Sequence, residues 1–96
     1  MPDVVMYSTI MCPYCQRARM LLREKGVDYT EILVDREPGR RPEMIQKAGG
    51  RTSVPQIFID DYHVGGCDDM FELEYAGRLD ALLGLAGAAG VEESHG

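Results

Sequence analysis

The stretch "YSTIMCPYCQRARMLL" at residues 7–22 constrains the fold more than any other part of the chain. It leaves an apolar run, "DVVMYS" at 3–8, places two cysteines three residues apart, and continues into apolar residues at helical spacing. We interpret the run as a buried strand. The helix that follows is predicted to have Cys12 at its N-cap and Pro13 at its first position. The cysteine pair therefore marks a strand-to-helix junction.

The rest of the pattern predicts further alternation of strands and helices. In order, the expected elements are a strand over 27–34, a short helix from Pro42 to Gly49–Gly50, strands over 54–60 and 62–64, a helix capped by Asp68 or Asp69, and a helix carrying Leu79, Leu82, Leu83 and Leu85. The first strand–helix–strand unit forms a right-handed parallel crossover, and the last two strands form an antiparallel hairpin. We therefore expect an α/β domain over residues 1–86, with a four-stranded mixed sheet and helices on both faces. Residues 87–96 lack periodicity and are predicted to be a flexible tail.

Charge and cysteine usage narrow the possible functions. The 96 residues carry a net charge of −6, which argues against nucleic acid as a partner. Residues 36–51 carry five basic and two acidic groups, so a small anion could bind near them. No apolar run reaches the roughly 18 residues of a membrane span, and the N-terminal residues lack the basic group of a secretion signal. We expect a cytoplasmic protein that bears free thiols and does not act at a membrane.

Position gives the two cysteines different chemistry. Cys12 stands where free N–H groups and about half a positive charge converge at the helix start, which favours its thiolate. Cys15 lies inside the first turn, is expected to be more buried, and is suited to attack a mixed disulfide on Cys12. Cysteines three apart on a helix can come within the roughly 4.4–6.8 Å between Cα atoms that a disulfide accepts. The spacing therefore favours redox chemistry.

Other interpretations of the cysteines fit less well. A zinc site could use Cys12, Cys15, His63 and Cys67, but the chain lacks the second close-spaced cysteine pair typical of such sites. Inert buried thiols and a permanent disulfide suit neither the strand–helix junction nor a cytoplasmic chain.

Two further stretches, "RTSVPQIFI" and "HVGGCDD", leave alternatives open. The proline can simply start a strand, and only about 5–6% of X–Pro bonds are cis, so the residues alone do not fix the isomer. The two glycines can form a tight turn before an ordinary N-cap, or they can leave free N–H groups for a carboxylate.

Together, "CPYC" at 12–15, "TSVPQIFI" at 52–59 and "GGCDD" at 65–69 make the chain resemble the dithiol glutaredoxins, from about Val4 to Leu83. The resemblance implies a thioredoxin-like fold, a cis Val54–Pro55 bond, and glutathione as co-substrate with no tightly bound cofactor or metal. It implies a monomeric oxidoreductase that reduces protein disulfides and glutathione mixed disulfides, with disulfide-bearing or glutathionylated proteins as partners. By the same resemblance, Cys12 is the nucleophile and Cys15 the resolving thiol.

The resemblance also implies a glutathione site formed by Tyr14, Arg41, Val54, Pro55, Cys67 and Asp68. The backbone of Val54 would pair with the cysteinyl part of glutathione. The N–H groups near Cys67 and Asp68 would hold the γ-glutamyl carboxylate, and Arg41, or alternatively Arg40, would face the glycyl carboxylate. Thr9 occupies a position where many family members carry lysine.

Two other functions remain as alternatives. Some relatives carry an iron–sulfur cluster between two protomers, although the rigid Pro13 favours redox members. A redoxin reduced by thioredoxin reductase is the other alternative, and the basic 36–51 segment favours glutathione over it.

Overall fold

The structure is a computed structural model that describes residues 2–85, so the predicted tail at 87–96 lies outside the described residues. The elements are β1 (Val4–Ser8), α1 (Pro13–Glu24), β2 (Thr30–Leu33), α2 (Arg41–Lys47), β3 (Gln56–Ile59), β4 (Tyr62–Gly65), α3 (Cys67–Tyr75) and α4 (Leu79–Leu82). The sheet has the order β2-β1-β3-β4, with β1 and β2 parallel and the other two pairs antiparallel. The predicted element order and mixed sheet are confirmed.

Successive side chains of β1 point to opposite faces of the sheet, and each face has its own core. Val4 and Met6 lie on the face covered by α1, α3 and α4, whereas Tyr7 lies on the face covered by α2. The larger core contains Val4, Met6, Ala18, Leu21, Leu22, Val27, Ile57, Ile59, Val64, Cys67, Met70, Leu79 and Leu83. The smaller core contains Tyr7, Ile32, Val34, Met44, Ala48 and Phe58. Helices therefore cover both faces, as predicted.

The predicted starts of three elements were wrong. Strand β2 begins at Thr30 instead of residue 27, because the N–H of Val27 is used by the carbonyl of Leu22 at the end of α1. A 3-10 turn at Pro38–Arg40 leads into α2, which begins at Arg41, one residue before the predicted start at Pro42. Strand β3 begins at Gln56, after Pro55, which has no N–H to donate to a neighbouring strand.

The predicted N-cap of α3 was also wrong. Gly66 occupies that position, and neither Asp68 nor Asp69 does. Asp69 instead reaches back from the third position of the helix, where its Oδ2 accepts the N–H of Gly66 at 2.8 Å. An acidic residue at the cap and one three positions after it can both accept N–H groups of the first turn, so the pattern alone does not distinguish the two placements.

Candidate active site

The start of α1 presents the sulfur of Cys12. Cys12 is the N-cap, in an extended conformation with φ −128° and ψ 110°, and Pro13 follows at the first helical position. Its Sγ accepts the backbone N–H of Cys15 at 3.2 Å and lies 4.0 Å from the carbonyl oxygen of Val54. The sulfur is therefore held at the helix end, between α1 and the segment that precedes β3.

The two thiols of the pair differ in accessibility. Cys12 is 9% exposed, whereas Cys15 is completely buried. Burial raises the pKa of Cys15 to about 12, and its hydrogen bond with Cys12 adds to the shift. Cys15 is therefore protonated at neutral pH and has no contact with solvent.

The third cysteine, Cys67, is the first residue of α3 and is 4% exposed. Burial raises the pKa of its thiol, while the positive charge of Arg17 opposes the shift. All three cysteines are free thiols. The side chain of Cys67 belongs to the larger core, so its backbone is the part that can face a ligand.

A cavity of about 190 Å³ lies next to Val54, whose carbonyl oxygen is 4.0 Å from the Cys12 sulfur, although neither cysteine of the pair lines it. It is lined by Tyr14, Arg51, Ser53, Val54, Pro55, Gly66, Cys67, Asp68 and Asp69. Five of the six residues proposed from the resemblance to bind glutathione lie in this lining, and Arg41 does not. The Val54–Pro55 bond is cis, as the resemblance implies.

The loop before β3, residues 51–55, is held in place by the side chain of Gln56. This fully buried amide donates through Nε2 to the carbonyl of Ser53 at 3.0 Å. Its Oε1 lies 2.7 Å from Nε2 of His63, which stacks on Phe58. Burial lowers the pKa of His63, and the charge of Arg51 lowers it further. The backbone of the loop is thus fixed by a chain of polar contacts that begins on β4.

The two candidate arginines at the start of α2, Arg40 at its N-cap and Arg41 at its first position, have different partners. Arg40 binds Glu43 through Nε at 2.8 Å and Nη2 at 2.9 Å, so its guanidinium is committed to that carboxylate. Arg41 donates from Nη1 to the carbonyl of Thr52 at 3.1 Å, which joins α2 to the loop before β3. Of the two, Arg41 is the better placed to reach an anion beside this loop.

Sequence reasoning missed an ion pair at the mouth of the cavity. Nη1 of Arg51 lies 3.1 Å from Oδ2 of Asp69, and both residues line the cavity. The hydrogen bond from Gly66 lowers the pKa of Asp69, and Arg51 lowers it further. In the sequence, Arg51 belongs to the basic 36–51 segment and Asp69 is a candidate helix cap. Because the two residues are 18 positions apart, the sequence alone does not indicate that they are in contact.

Metal binding and membrane insertion find no support in the described residues. Within 2–85, no three side chains of His, Cys, Asp or Glu are grouped so that they could hold a metal ion. His63, a ligand in the zinc interpretation, is instead bonded to Gln56. None of the helices in the same range combines the length and apolar character that a membrane crossing requires.

Comparison with known proteins agrees with this geometry. The family model described as Glutaredoxin matches residues 4–64. A glutaredoxin of Pseudomonas aeruginosa is 59% identical over 83 residues, covering 86% of this chain and 98% of the relative. Glutaredoxin 3 of Escherichia coli K12 is 51% identical over 83 residues, covering 86% and 99%. A crystal structure of a buckwheat glutaredoxin–glutathione complex superposes with a TM-score of 0.78 at 32% identity, covering 85% of this chain and 76% of that one.

The sequence motifs, the mixed sheet, the cysteine pair at the helix start and these relatives lead to one assignment. The chain belongs to the glutaredoxin family of glutathione-dependent thiol–disulfide oxidoreductases.

Proposed function

We propose that the chain removes glutathione from glutathionylated proteins and reduces protein disulfides, with Cys12 as the attacking sulfur and Cys15 as the resolving one. The observation that carries this proposal is the difference in position and burial between the two cysteines. Cys12 has its sulfur at the end of α1 beside the cavity, and Cys15 is buried behind it with a raised pKa.

Removal of glutathione needs only the first cysteine. The Cys12 thiolate attacks the glutathionyl sulfur, the substrate leaves as a thiolate that takes up a proton, and a disulfide remains between Cys12 and glutathione. The thiolate of a second glutathione attacks that bond. Oxidised glutathione leaves, and the Cys12 thiolate is restored.

Reduction of a protein disulfide needs both cysteines. Cys12 attacks one sulfur of the substrate disulfide and forms a mixed disulfide, while the other substrate sulfur leaves as a thiol. Cys15 loses its proton and attacks Cys12, which releases the second substrate thiol and leaves a Cys12–Cys15 disulfide. Two glutathione molecules then reduce that disulfide and leave as one molecule of oxidised glutathione.

We propose that glutathione binds in the 190 Å³ cavity because the groups around it complement its charges, and the buckwheat complex supports the choice of ligand. The first N–H groups of a helix have no intrahelical partner, so those of Cys67 and Asp68 are available to the γ-glutamyl carboxylate. The Asp68 carboxylate would attract the ammonium group, the Val54 backbone would pair with the cysteinyl part, and Arg41 would face the glycyl carboxylate. Tyr14 and Pro55 would provide the apolar walls.

We propose the cytoplasm as the working compartment, because three free thiols in one small chain suit a reducing environment. Steady-state turnover with a glutathionylated peptide tests the reductant. We expect saturable activity with glutathione, glutathione reductase and NADPH, and at most a few per cent of that rate with thioredoxin reductase and NADPH. Faster turnover with thioredoxin reductase would overturn the assignment of glutathione as reductant.

A further inference from the structure

One ion pair joins the two sides of the cavity beside Cys12. Arg51 begins the loop before β3 on one side, and Asp69 lies in the first turn of α3 on the other. Their side chains are 47% and 39% exposed, so the pair stands at the mouth of the cavity, in contact with solvent. An ion pair in this position can influence both the shape of the cavity and the potential that a charged ligand meets.

The first turn of α3 presents an electrostatic conflict. Asp68 and Asp69 both carry carboxylates there, next to the N–H groups proposed to receive the γ-glutamyl carboxylate. Acidic residues stabilise a helix N-terminus, but they repel a second anion that approaches it. Asp68 has a use, since it can attract the ligand's ammonium group. Asp69 already accepts the N–H of Gly66, and its charge adds to the repulsion that an incoming carboxylate meets.

The geometry supplies a counterion for Asp69. The same oxygen of Asp69 receives the N–H of Gly66 at 2.8 Å and Nη1 of Arg51 at 3.1 Å. The two donors hold the carboxylate towards Gly66 and the loop, and the guanidinium of Arg51 balances its charge. Gly65 leaves the necessary space, because a Cβ built there would clash with Asp69 and lie 2.8 Å from Nη1 of Arg51.

We propose that Arg51 is a positioning residue that acts through Asp69 and sets the affinity of the cavity for the γ-glutamyl end of glutathione. It cancels the charge of Asp69 and ties the loop before β3 to α3. The cavity would therefore bind a thiol compound that carries an α-amino-acid carboxylate more tightly than an uncharged thiol. This inference rests on the proposed function, since it requires that glutathione occupies the cavity.

Four proteins test the inference: wild type, Arg51→Gln, Asp69→Asn and the double variant. Asparagine keeps an oxygen that can accept the Gly66 N–H but has no charge, so Asp69→Asn preserves the cap and removes the repulsion. We expect Arg51→Gln to raise KM for glutathione about fivefold with little change in kcat, in line with an exposed ion pair. The double variant should return to within about twofold of Asp69→Asn, because the unbalanced carboxylate is gone.

Two further measurements separate this electrostatic role from a merely structural one. Raising the salt concentration should narrow the difference in KM between Arg51→Gln and wild type, since salt screens the exposed Asp69 charge. The single-turnover attack of pre-reduced Arg51→Gln on uncharged hydroxyethyl disulfide should proceed at the wild-type rate. Arg36→Gln, which removes another exposed arginine of the basic segment, is the matched control and should leave KM within about twofold of wild type.

Several results would overturn the inference. An unchanged KM in Arg51→Gln would do so, as would a double variant as impaired as Arg51→Gln, which would indicate direct contact between Arg51 and the ligand. Slow attack on hydroxyethyl disulfide by Arg51→Gln would indicate general damage to the site. If wild type itself fails to saturate with glutathione, the proposed function fails as well, whereas the other outcomes leave it intact.

Discussion

The sulfur of Cys12 accepts a hydrogen bond from the backbone N–H of Cys15 at 3.2 Å, at the first turn of α1. This contact places the reactive sulfur against the positive end of the helix. It also holds Cys15 next to Cys12, so that Cys15 can attack a disulfide formed on Cys12. The division of labour between them can be tested one cysteine at a time.

Replacing each cysteine of the pair by serine should give different losses. Cys12→Ser is expected to abolish turnover with every disulfide substrate, because the two remaining thiols, Cys15 and Cys67, are both buried and burial raises the pKa of each. Cys15→Ser should keep activity towards a glutathionylated peptide and lose reduction of a protein disulfide, whose mixed disulfide then has no resolving thiol. Glutathione-coupled NADPH consumption with both substrates measures the two activities. Normal turnover by Cys12→Ser would contradict the mechanism.

The buried thiol should also reveal itself by slow alkylation. Burial is the main cause that raises the pKa of Cys15 to about 12, and this cause remains when the Cys12 sulfur is removed. In folded Cys12→Ser, we expect iodoacetamide to label Cys15 at pH 8 at least about tenfold more slowly than in the guanidinium-unfolded chain. Peptide mapping by mass spectrometry assigns each label to its cysteine. Equal rates in the folded and unfolded chains would show that Cys15 is neither buried nor shifted.

Much of this arrangement could be predicted from local sequence. Strand β1, Cys12 at the N-cap and Pro13 after it leave local signals, because capping and helix starts depend on neighbours within a few residues. Local patterns suggested parts of the cavity lining, such as the free N–H groups after the two glycines, but only the resemblance implied that Tyr14, Val54 and Cys67 form one site.

The contacts that join distant segments could not be predicted in this way. Arg51 and Asp69 are 18 residues apart, and each has an ordinary local explanation. The buried Gln56 amide, which bonds Ser53 and His63, reads in the sequence as a polar residue in an apolar strand. Which polar groups meet across a cavity depends on the strand register and the helix packing, and a single sequence does not encode these as a readable pattern.

Gly65 should not tolerate a side chain. Its φ is +109°, and an added Cβ would clash with Asp69 and approach Arg51. We expect Gly65→Ala to lower the free energy of unfolding by about 1–3 kcal/mol and to raise KM for glutathione, because Asp69 must move. Gly39→Ala is the matched control, since a Cβ there meets nothing within 4 Å. Chemical denaturation measures the free energy of unfolding of both variants, and steady-state kinetics measure their KM for glutathione. Equal values for Gly65→Ala and Gly39→Ala would contradict the role given to Gly65.

A polar cluster on the α2 face should make stability depend on pH. Arg40 and the hydroxyl of Tyr7 bind Glu43 and hold its pKa at about 2, below its ordinary value of 4.5. Between these values the unfolded chain binds more protons at this group, so its contribution is present above pH 4.5 and is lost as the pH falls towards 2.

Glu43→Gln should flatten this part of the stability profile. Because the carboxylate is partly exposed, we expect its contribution to be about 1 kcal/mol or less. Urea unfolding of wild type and Glu43→Gln at several pH values between 2.5 and 6 measures the difference. If the difference in unfolding free energy between wild type and Glu43→Gln stayed constant across this pH range, the lowered pKa of Glu43 would be excluded.

The central claim is that Cys12 alone receives the glutathionyl group, and mapping that group tests it most directly. Cys15→Ser is treated with oxidised glutathione at neutral pH, digested without reductant, and each cysteine peptide is examined by mass spectrometry. We predict one glutathione per chain, attached to Cys12, and no adduct on Cys67, whose thiol is buried. An adduct chiefly on Cys67, or an unmodified Cys12, would contradict the account.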